Sequence, residues 1–166
     1  MKKINRISKE LVAPCGMNCA LCSRYLAYAN NLKRSRCIGC RPSKKNCGAV
    51  LKNKCTGTKN ISKGNIPFCF ECSQYPCKSL HHLDDRYRKN YGMSMIDNLE
   101  FIKMNGIGQF IKSQYAKHHC PKCSHLISVH NNKCFRCDKI TKLVDKNASR
   151  ADGRGTGTRS RQRVIE

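Results

Sequence analysis

Residues 120–137 read CPKCSHLISVHNNKCFRC, with an apolar run between two pairs of cysteines. The run, residues 126–130, has the composition of a strand and ends at Asn131-Asn132, a pair that favours a turn. Two cysteine turns that bracket a hairpin are typical of a zinc ribbon, in which four sulfurs close a tetrahedral site. We therefore expect residues 119–140 to form a zinc-ribbon hairpin. Its four metal ligands are Cys120, Cys123, Cys134 and Cys137.

The same spacing recurs nearer the N-terminus, where residues 15–77 contain ten of the fourteen cysteines. Two sulfurs on one tight turn converge on a single ion. No signal peptide is recognisable, so we expect a cytoplasmic chain whose thiols stay reduced and bind metal instead of forming disulfides. The further pairs are Cys19/Cys22, Cys37/Cys40 and Cys69/Cys72, and the remaining cysteines are Cys15, Cys47, Cys55 and Cys77.

The apolar content is low for 166 residues, since 39% are hydrophobic and none is Trp. A thin core of this kind needs metal or disulfide bonds to hold it. We predict a small metal-stabilised protein, mainly α with irregular loops, that has an N-terminal cysteine-rich knot, a helical middle and the C-terminal zinc-ribbon hairpin. The expected segments are a basic lead-in (1–14), a cysteine-rich metal-binding domain (15–91), a helical hairpin (92–118), the ribbon (119–140) and a basic, disordered tail (141–166).

Four helices are predicted from apolar residues that recur at helical spacing. Ser94 and Asp97 resemble a capping box at the start of the third helix, and Asn105-Gly106 ends that helix. The expected buried faces are Leu21, Tyr25 and Tyr28; Leu80, Leu83, Tyr87 and Tyr91; Ile96, Leu99 and Ile102; and Ile107, Phe110, Ile111 and Tyr115.

The N-terminal cysteine motifs resemble a widespread family of small cysteine-rich prokaryotic proteins, catalogued as a domain of unknown function and predicted to bind zinc. The motifs that carry the resemblance are Cys15-Gly16-Met17-Asn18-Cys19-Ala20-Leu21-Cys22, then Cys37-Ile38-Gly39-Cys40, and Cys69-Phe70-Glu71-Cys72-Ser73-Gln74-Tyr75-Pro76-Cys77 with the following Arg86-Tyr87 helix. The ribbon also resembles extended members, so the likeness spans roughly residues 13–138. It implies metal binding and no assigned activity.

Spacing alone leaves the pairing of the ten N-terminal cysteines open. We favour one site made of Cys19, Cys22, Cys37 and Cys40. A second site would contain Cys55, Cys69, Cys72 and Cys77, with Cys15 and Cys47 as alternates. His81 and His82 follow Cys77 closely enough to replace a sulfur, although histidines in such positions are usually surface residues of a helix. With the ribbon, these sites predict two to three zinc ions.

The formal net charge of +23 indicates a polyanionic partner, and we expect RNA or the ribosome. Zinc held by four thiolates carries a net charge of about −2, so three sites would still leave about +17. Tyr25, Tyr28, Phe68, Phe70 and Tyr75 offer stacking surfaces for bases. The alternative is a basic protein with no such partner. The predicted contacts are Lys44, Lys45, Lys52, Lys54, Lys59 and Lys63 in the loops and Arg154, Arg159, Arg161 and Arg163 in the tail.

Iron–sulfur clusters are the alternative cofactor, because thiolates alone do not distinguish them from zinc. The N-terminal cluster would then be the active centre of a redox or metal-handling protein. Cys15-x3-Cys19-x2-Cys22 has the cysteine spacing by which radical enzymes that depend on S-adenosylmethionine hold a cluster, but no strand–helix alternation follows it. We identify no catalytic motif and no small-molecule site. No apolar stretch is as long as a membrane-spanning helix, which needs about 20 residues.

Overall fold

The computed structural model of the chain describes residues 7–32, 35–42, 67–141 and 143. The described residues form no β-strand, and the expectation of a mainly α fold is confirmed. The α-helices are α1 (Ser23–Ala29), α2 (Lys78–Tyr91) and α3 (Met95–His118). Short 3-10 helices lie at Lys9–Leu11, Cys19–Leu21 and Cys69–Glu71. Antiparallel bridges join Val12 to Asn18, His119 to Leu126 and Ile127 to Cys134.

The first helix begins later than the sequence pattern predicts. Residues 19–21 form a 3-10 helix, which Asn18 caps by accepting the Ala20 N–H at 3.1 Å. Cys22 is then extended, with φ −76° and ψ 130°, so the helical rotation restarts at Ser23. This break changes the buried face: Leu26 and Ala27 are buried on α1, whereas Tyr28 is 40% exposed. The prediction that Tyr28 is buried is therefore wrong.

The start of α3 has the Ser94 cap that the sequence predicts, and a glycine ends α2 just before it. Gly92 ends α2 in the left-handed conformation, at φ 59°. Ser94 then caps α3 by accepting the Asp97 N–H at 2.9 Å. The Ser94 hydroxyl also donates to the buried Asp84 carboxylate at 2.7 Å, and the Ile96 N–H donates to the same oxygen at 2.9 Å. Asp84 thereby fixes the start of α3 against α2.

A break at Gly106 divides α3 where the sequence predicts a helix end. Gly106 has φ 77° and ψ 159°, which is far from helical. Residues 101 and 110 would be about 13.5 Å apart along a straight helix, yet the rings of Phe101 and Phe110 have centroids 6.3 Å apart. The two halves of α3 therefore bend sharply towards each other.

One hydrophobic core joins the N-terminal segment, the helices and the ribbon region. Gly16 lets the N-terminal segment approach α3 closely, because a Cβ atom there would lie 2.6 Å from the Met95 carbonyl oxygen. The buried members include Leu11, Met17, Leu21, Leu26, Leu80, Leu83, Met95, Leu99, Leu126, Val129 and Phe135. A smaller cluster contains Val12, Ile102 and Phe110. Within the described ranges, no helix is long and apolar enough to cross a membrane.

Candidate metal centre

Two tight turns position the four cysteines of the ribbon. In the first, the Ser124 N–H donates to the Cys120 carbonyl oxygen at 2.8 Å. In the second, the Asp138 N–H donates to the Cys134 carbonyl oxygen at 2.9 Å. Both turns therefore close over the same number of residues, and each presents its two sulfurs on one side. Ser124 adopts the left-handed conformation, at φ 56°.

Backbone hydrogen bonds close the ends of the first turn and the loop that connects it to the second. The Cys120 N–H donates to the His125 carbonyl and the Ile127 N–H donates to the His118 carbonyl, each at 2.7 Å. The Ser128 N–H donates to the Lys133 carbonyl at 3.0 Å, and Asn132 has a left-handed φ of 52°. The predicted turn at residues 131–132 is present, but its flanks pair through isolated bridges instead of strands.

The sulfur atoms of Cys120, Cys123, Cys134 and Cys137 all lie within 4.8 Å of one another. The Cys123 and Cys134 sulfurs are 3.6 Å apart. Four sulfurs at 2.3 Å from a tetrahedral ion would be about 3.8 Å apart, which fits this group. Two of the cysteines are buried, one is half-buried and Cys137 is exposed. The cluster can therefore hold a metal ion near the surface.

The environment of these thiols differs from one to the next. The Lys122 N–H hydrogen-bonds the Cys120 sulfur, and this contact is the main reason that the pKa of Cys120 falls to about 7. The pKa of Cys137 rises to about 12, first because its thiol is hydrogen-bonded to Cys123. Burial raises the pKa of Cys134. A bound cation would displace the remaining thiol protons, since metal ligation requires thiolates.

The N-terminal cysteines are neighbours but form a more open group. A hydrogen bond to Cys40 is the main cause that raises the pKa of Cys19, and burial is the main cause that raises the pKa of Cys22. Among the described residues, the ribbon tetrad is the one group of three or more potential ligand atoms within 4.8 Å of one another.

The next cysteines along the chain are Cys69, Cys72 and Cys77, and the first of them lies beside Pro14. The Cys69 N–H donates to the Pro14 carbonyl at 2.9 Å, and the Cys72 N–H donates to the Cys69 carbonyl at 3.0 Å. Cys77 immediately precedes α2. His81 and His82 are exposed on that helix. Cys47 and Cys55 lie outside the described residues, as do the six loop lysines (44, 45, 52, 54, 59 and 63) and the four tail arginines (154, 159, 161 and 163).

Of the five aromatic residues expected to stack on bases, Tyr28 is exposed and the others are half-buried. Phe68 and Phe70 stack on each other, with ring centroids 5.3 Å apart. The Arg41 guanidinium lies 4.9 Å from the Phe68 ring centre. The Tyr75 hydroxyl donates to Glu100 at 2.6 Å. Intramolecular contacts thus occupy Phe68, Phe70 and Tyr75.

Two residues that the sequence reasoning missed connect distant parts of the chain. His130 is 7% exposed, and its Nδ1 accepts the Ser23 N–H at 3.2 Å. Arg41 donates to the Val12 carbonyl at 2.6 Å and also to the Pro67 carbonyl. The hydrogen-bond partners of His130 and of Arg41 are distant in sequence, so no local sequence pattern indicates these contacts.

Comparison with protein families supports the N-terminal resemblance. Residues 11–82 match a family described as a protein of unknown function (DUF3795). The match contains the N-terminal cysteines from Cys15 to Cys77 and ends before the ribbon. It confirms the resemblance to an uncharacterised cysteine-rich family, and it assigns no activity. No curated protein and no solved structure matches the chain significantly.

Proposed function

We propose that the protein is a zinc-binding protein whose ribbon cysteines form a structural metal site and whose basic surface binds RNA. The observation that carries the metal assignment is the mutual approach of four cysteine sulfurs within 4.8 Å. A closed set of four thiolates leaves no open coordination position, and that is the arrangement of structural zinc sites. The proposed role of this ion is to stabilise the fold and to fix nearby backbone.

Metal analysis together with an absorption spectrum tests the zinc assignment. The full chain, purified without oxygen, is expected to be colourless and to contain zinc in whole-number proportion. Zinc has a filled d shell and no redox chemistry, whereas iron–sulfur clusters absorb visible light. A brown protein that contains iron and sulfide would overturn the zinc assignment and favour the redox alternative.

Charge supports RNA as the partner. The whole chain has 33 Lys and Arg against 10 Asp and Glu. Around the ribbon, Lys122, Lys133, Arg136 and Lys139 are exposed, and Asp138 is the one acid among residues 119–141. Metal ligation would hold these cations on a fixed backbone. A phosphate polymer is the partner that such a surface attracts most strongly, with an affinity that falls as salt rises.

Titration of a structured RNA at several salt concentrations tests the RNA assignment. Because binding releases counterions, the logarithm of the affinity should fall linearly with the logarithm of the salt concentration. The triple variant Lys122→Glu/Lys133→Glu/Lys139→Glu should weaken binding more than Lys78→Glu/Lys89→Glu/Lys103→Glu, which changes the net charge equally at other exposed sites. An affinity that does not change with salt would overturn RNA binding. Equal losses of affinity in the two variants would show that the ribbon is not the RNA-binding surface.

A further inference from the structure

We infer that His119 stacks on an unpaired base of the bound RNA, so that the ribbon recognises single-stranded segments. The inference rests on the proposed RNA-binding function and names the part of the RNA that this surface takes. It is carried by an exposed ring that the fold holds rigidly where α3 meets the ribbon.

His119 is the exposed ring of the ribbon. Residues 119–140, all of which the structure describes, contain four residues with aromatic rings, namely His119, His125, His130 and Phe135. His130 and Phe135 are buried in the protein, and His125 is half-buried. A base can therefore reach His119 more readily than the other rings of this segment.

Backbone pairing fixes the main chain of His119. His119 and Leu126 form an antiparallel bridge. The Cys120 N–H, next to His119, donates to the His125 carbonyl at 2.7 Å, and a second backbone bond of the same length lies on the other side of the bridge. His119 therefore cannot swing away without opening the first cysteine turn.

The imidazole ring of His119 is held as firmly as its backbone. Its Nδ1 lies 3.0 Å from the Ala116 carbonyl oxygen and 3.2 Å from the Tyr115 carbonyl oxygen. Because carbonyl oxygens only accept, Nδ1 carries a proton and donates to both. One face of the ring lies on the Tyr115 ring, with centroids 5.7 Å apart and an angle of 18° between the planes. This arrangement is offset stacking.

Tyr115 is anchored in turn to the ribbon. Its hydroxyl donates to the Ser124 carbonyl at 3.0 Å. Ser124 belongs to the first cysteine turn, where its own N–H donates to the Cys120 carbonyl at 2.8 Å. The two stacked rings thus keep one orientation relative to that turn. Because His119 is held before RNA arrives, stacking a base on it costs little conformational entropy.

The second face of the His119 ring suits a nucleobase. One face lies on Tyr115 and the residue is exposed, so the opposite face is open. Unpaired bases of loops and single strands stack on protein rings, histidine included, whereas the bases of a duplex already stack on one another. Lys117 and Lys122 are exposed and close to His119 in sequence, so the phosphates beside the stacked base meet cations.

His119 also caps the end of α3, and two substitutions separate that role from stacking. The carbonyls of the last helical turn have no intrahelical donor, and the Nδ1 N–H satisfies two of them. His119→Gln retains an N–H donor for the cap but has no ring. His119→Tyr retains a ring for the base but loses the Nδ1 donor.

Fluorescence anisotropy with a single-stranded RNA and with a duplex of equal length, at one salt concentration, tests the inference. His119→Gln and His119→Ala should weaken single-strand binding by about 5- to 100-fold, the usual effect of losing one stacked base. Both variants should change duplex binding much less. His119→Tyr should bind the single strand about as well as the unaltered chain. The control His82→Gln, at an exposed histidine of α2, should leave both affinities unchanged.

The inference is overturned if His119→Gln binds the single strand as well as the unaltered chain, or if it loses equal affinity for both RNAs. It is also overturned if His119→Tyr binds as weakly as His119→Gln. Salt-dependent binding that is insensitive to His119→Gln removes this inference and leaves the proposed function intact. If the unaltered chain binds neither RNA in a salt-dependent way, the proposed function fails as well.

NMR of the unaltered chain provides a second measurement, which needs no variant to fold. The ring protons of His119 should move upfield when single-stranded RNA is added, because a base stacked over the ring shields them. Inorganic polyphosphate, which has the charge of RNA but no bases, should not produce this shift. An equal shift with polyphosphate, or none with RNA, would contradict stacking.

Discussion

His130 connects the ribbon to the first two helices through a single neutral ring. Because Nδ1 accepts the Ser23 N–H, the ring proton lies on Nε2, which donates to the Tyr87 hydroxyl at 3.1 Å. The Tyr91 ring meets the imidazole edge to face, with centroids 4.8 Å apart. Burial foremost, with help from the charges of Arg24 and Arg86, lowers the pKa of His130 to about 4.

Acid should therefore destabilise the protein through His130. The unfolded chain protonates this histidine below its ordinary pKa of 6.5, whereas the folded chain resists until about pH 4. The stability that depends on a neutral His130 is fully present above pH 6.5. About 3 kcal/mol of it is lost as the pH falls from 6.5 to about 4. Urea unfolding at several pH values should show a shallower acid slope for His130→Gln than for the unaltered protein. Equal slopes would show that His130 does not couple folding to protonation.

Ser94 is a second residue with a defined energetic role. It caps α3 and also donates to the buried Asp84 carboxylate. Ser94→Ala should lower the free energy of unfolding by about 1–2 kcal/mol, because it removes a cap and one hydrogen bond of a buried acid. Chemical denaturation provides the measurement, with the exposed Ser73→Ala as the control that should change little. An equal effect of the two substitutions would exclude the capping role.

Gly106 and Gly108 lie two residues apart in α3, but their replacement by alanine should change the stability of the protein in opposite directions. Gly106 has a positive φ of 77° that side chains rarely adopt, whereas Gly108 does not, and an added Cβ has open space at both. Gly106→Ala should destabilise the protein by about 1–3 kcal/mol through backbone strain. Gly108→Ala should stabilise it by about 0.5–1 kcal/mol through helix propensity. Thermal unfolding of both variants checks the bend, and stabilisation by Gly106→Ala would contradict it.

The structural elements that could be predicted from sequence are those whose conformation a few adjacent residues determine. The Ser94–Asp97 cap and the break at Gly106 each depend on a few adjacent residues, and both are present. The start of α1 could not be predicted, because the 3-10 helix at Cys19–Leu21 interrupts an apolar pattern that looks continuous in sequence. The ribbon tetrad follows from spacing alone, since two turns of equal length bring the four sulfurs together.

At the scale of the whole molecule, the ribbon packs into the same core as the helices. Leu126, Val129 and Phe135 belong to the cluster that contains Leu21. The Val129 N–H also donates to the Leu21 carbonyl at 3.1 Å. Sequence could not have predicted this docking, because its hydrogen bonds join residues about a hundred positions apart and depend on tertiary packing.

This shared core predicts that metal removal affects the helices. Chelation should loosen the ribbon turns and remove their packing from the core, so helix melting should shift to a lower temperature. Circular dichroism during heating, with and without chelator, provides the measurement. Cys123→Ser should melt early without chelator and shift less when it is added. A helix melting temperature that does not change when chelator is added would mean that metal binding at the ribbon does not stabilise the rest of the fold.

Native mass spectrometry of the full chain measures directly whether the cysteines bind metal. We expect a folded species heavier than the bare chain by whole zinc ions, at least one of them bound by the ribbon tetrad. In acid the mass should return to that of the bare chain with all fourteen cysteines reduced. A folded species at the bare mass, with all fourteen thiols reactive before any chelator is added, would show that the cysteines bind no metal.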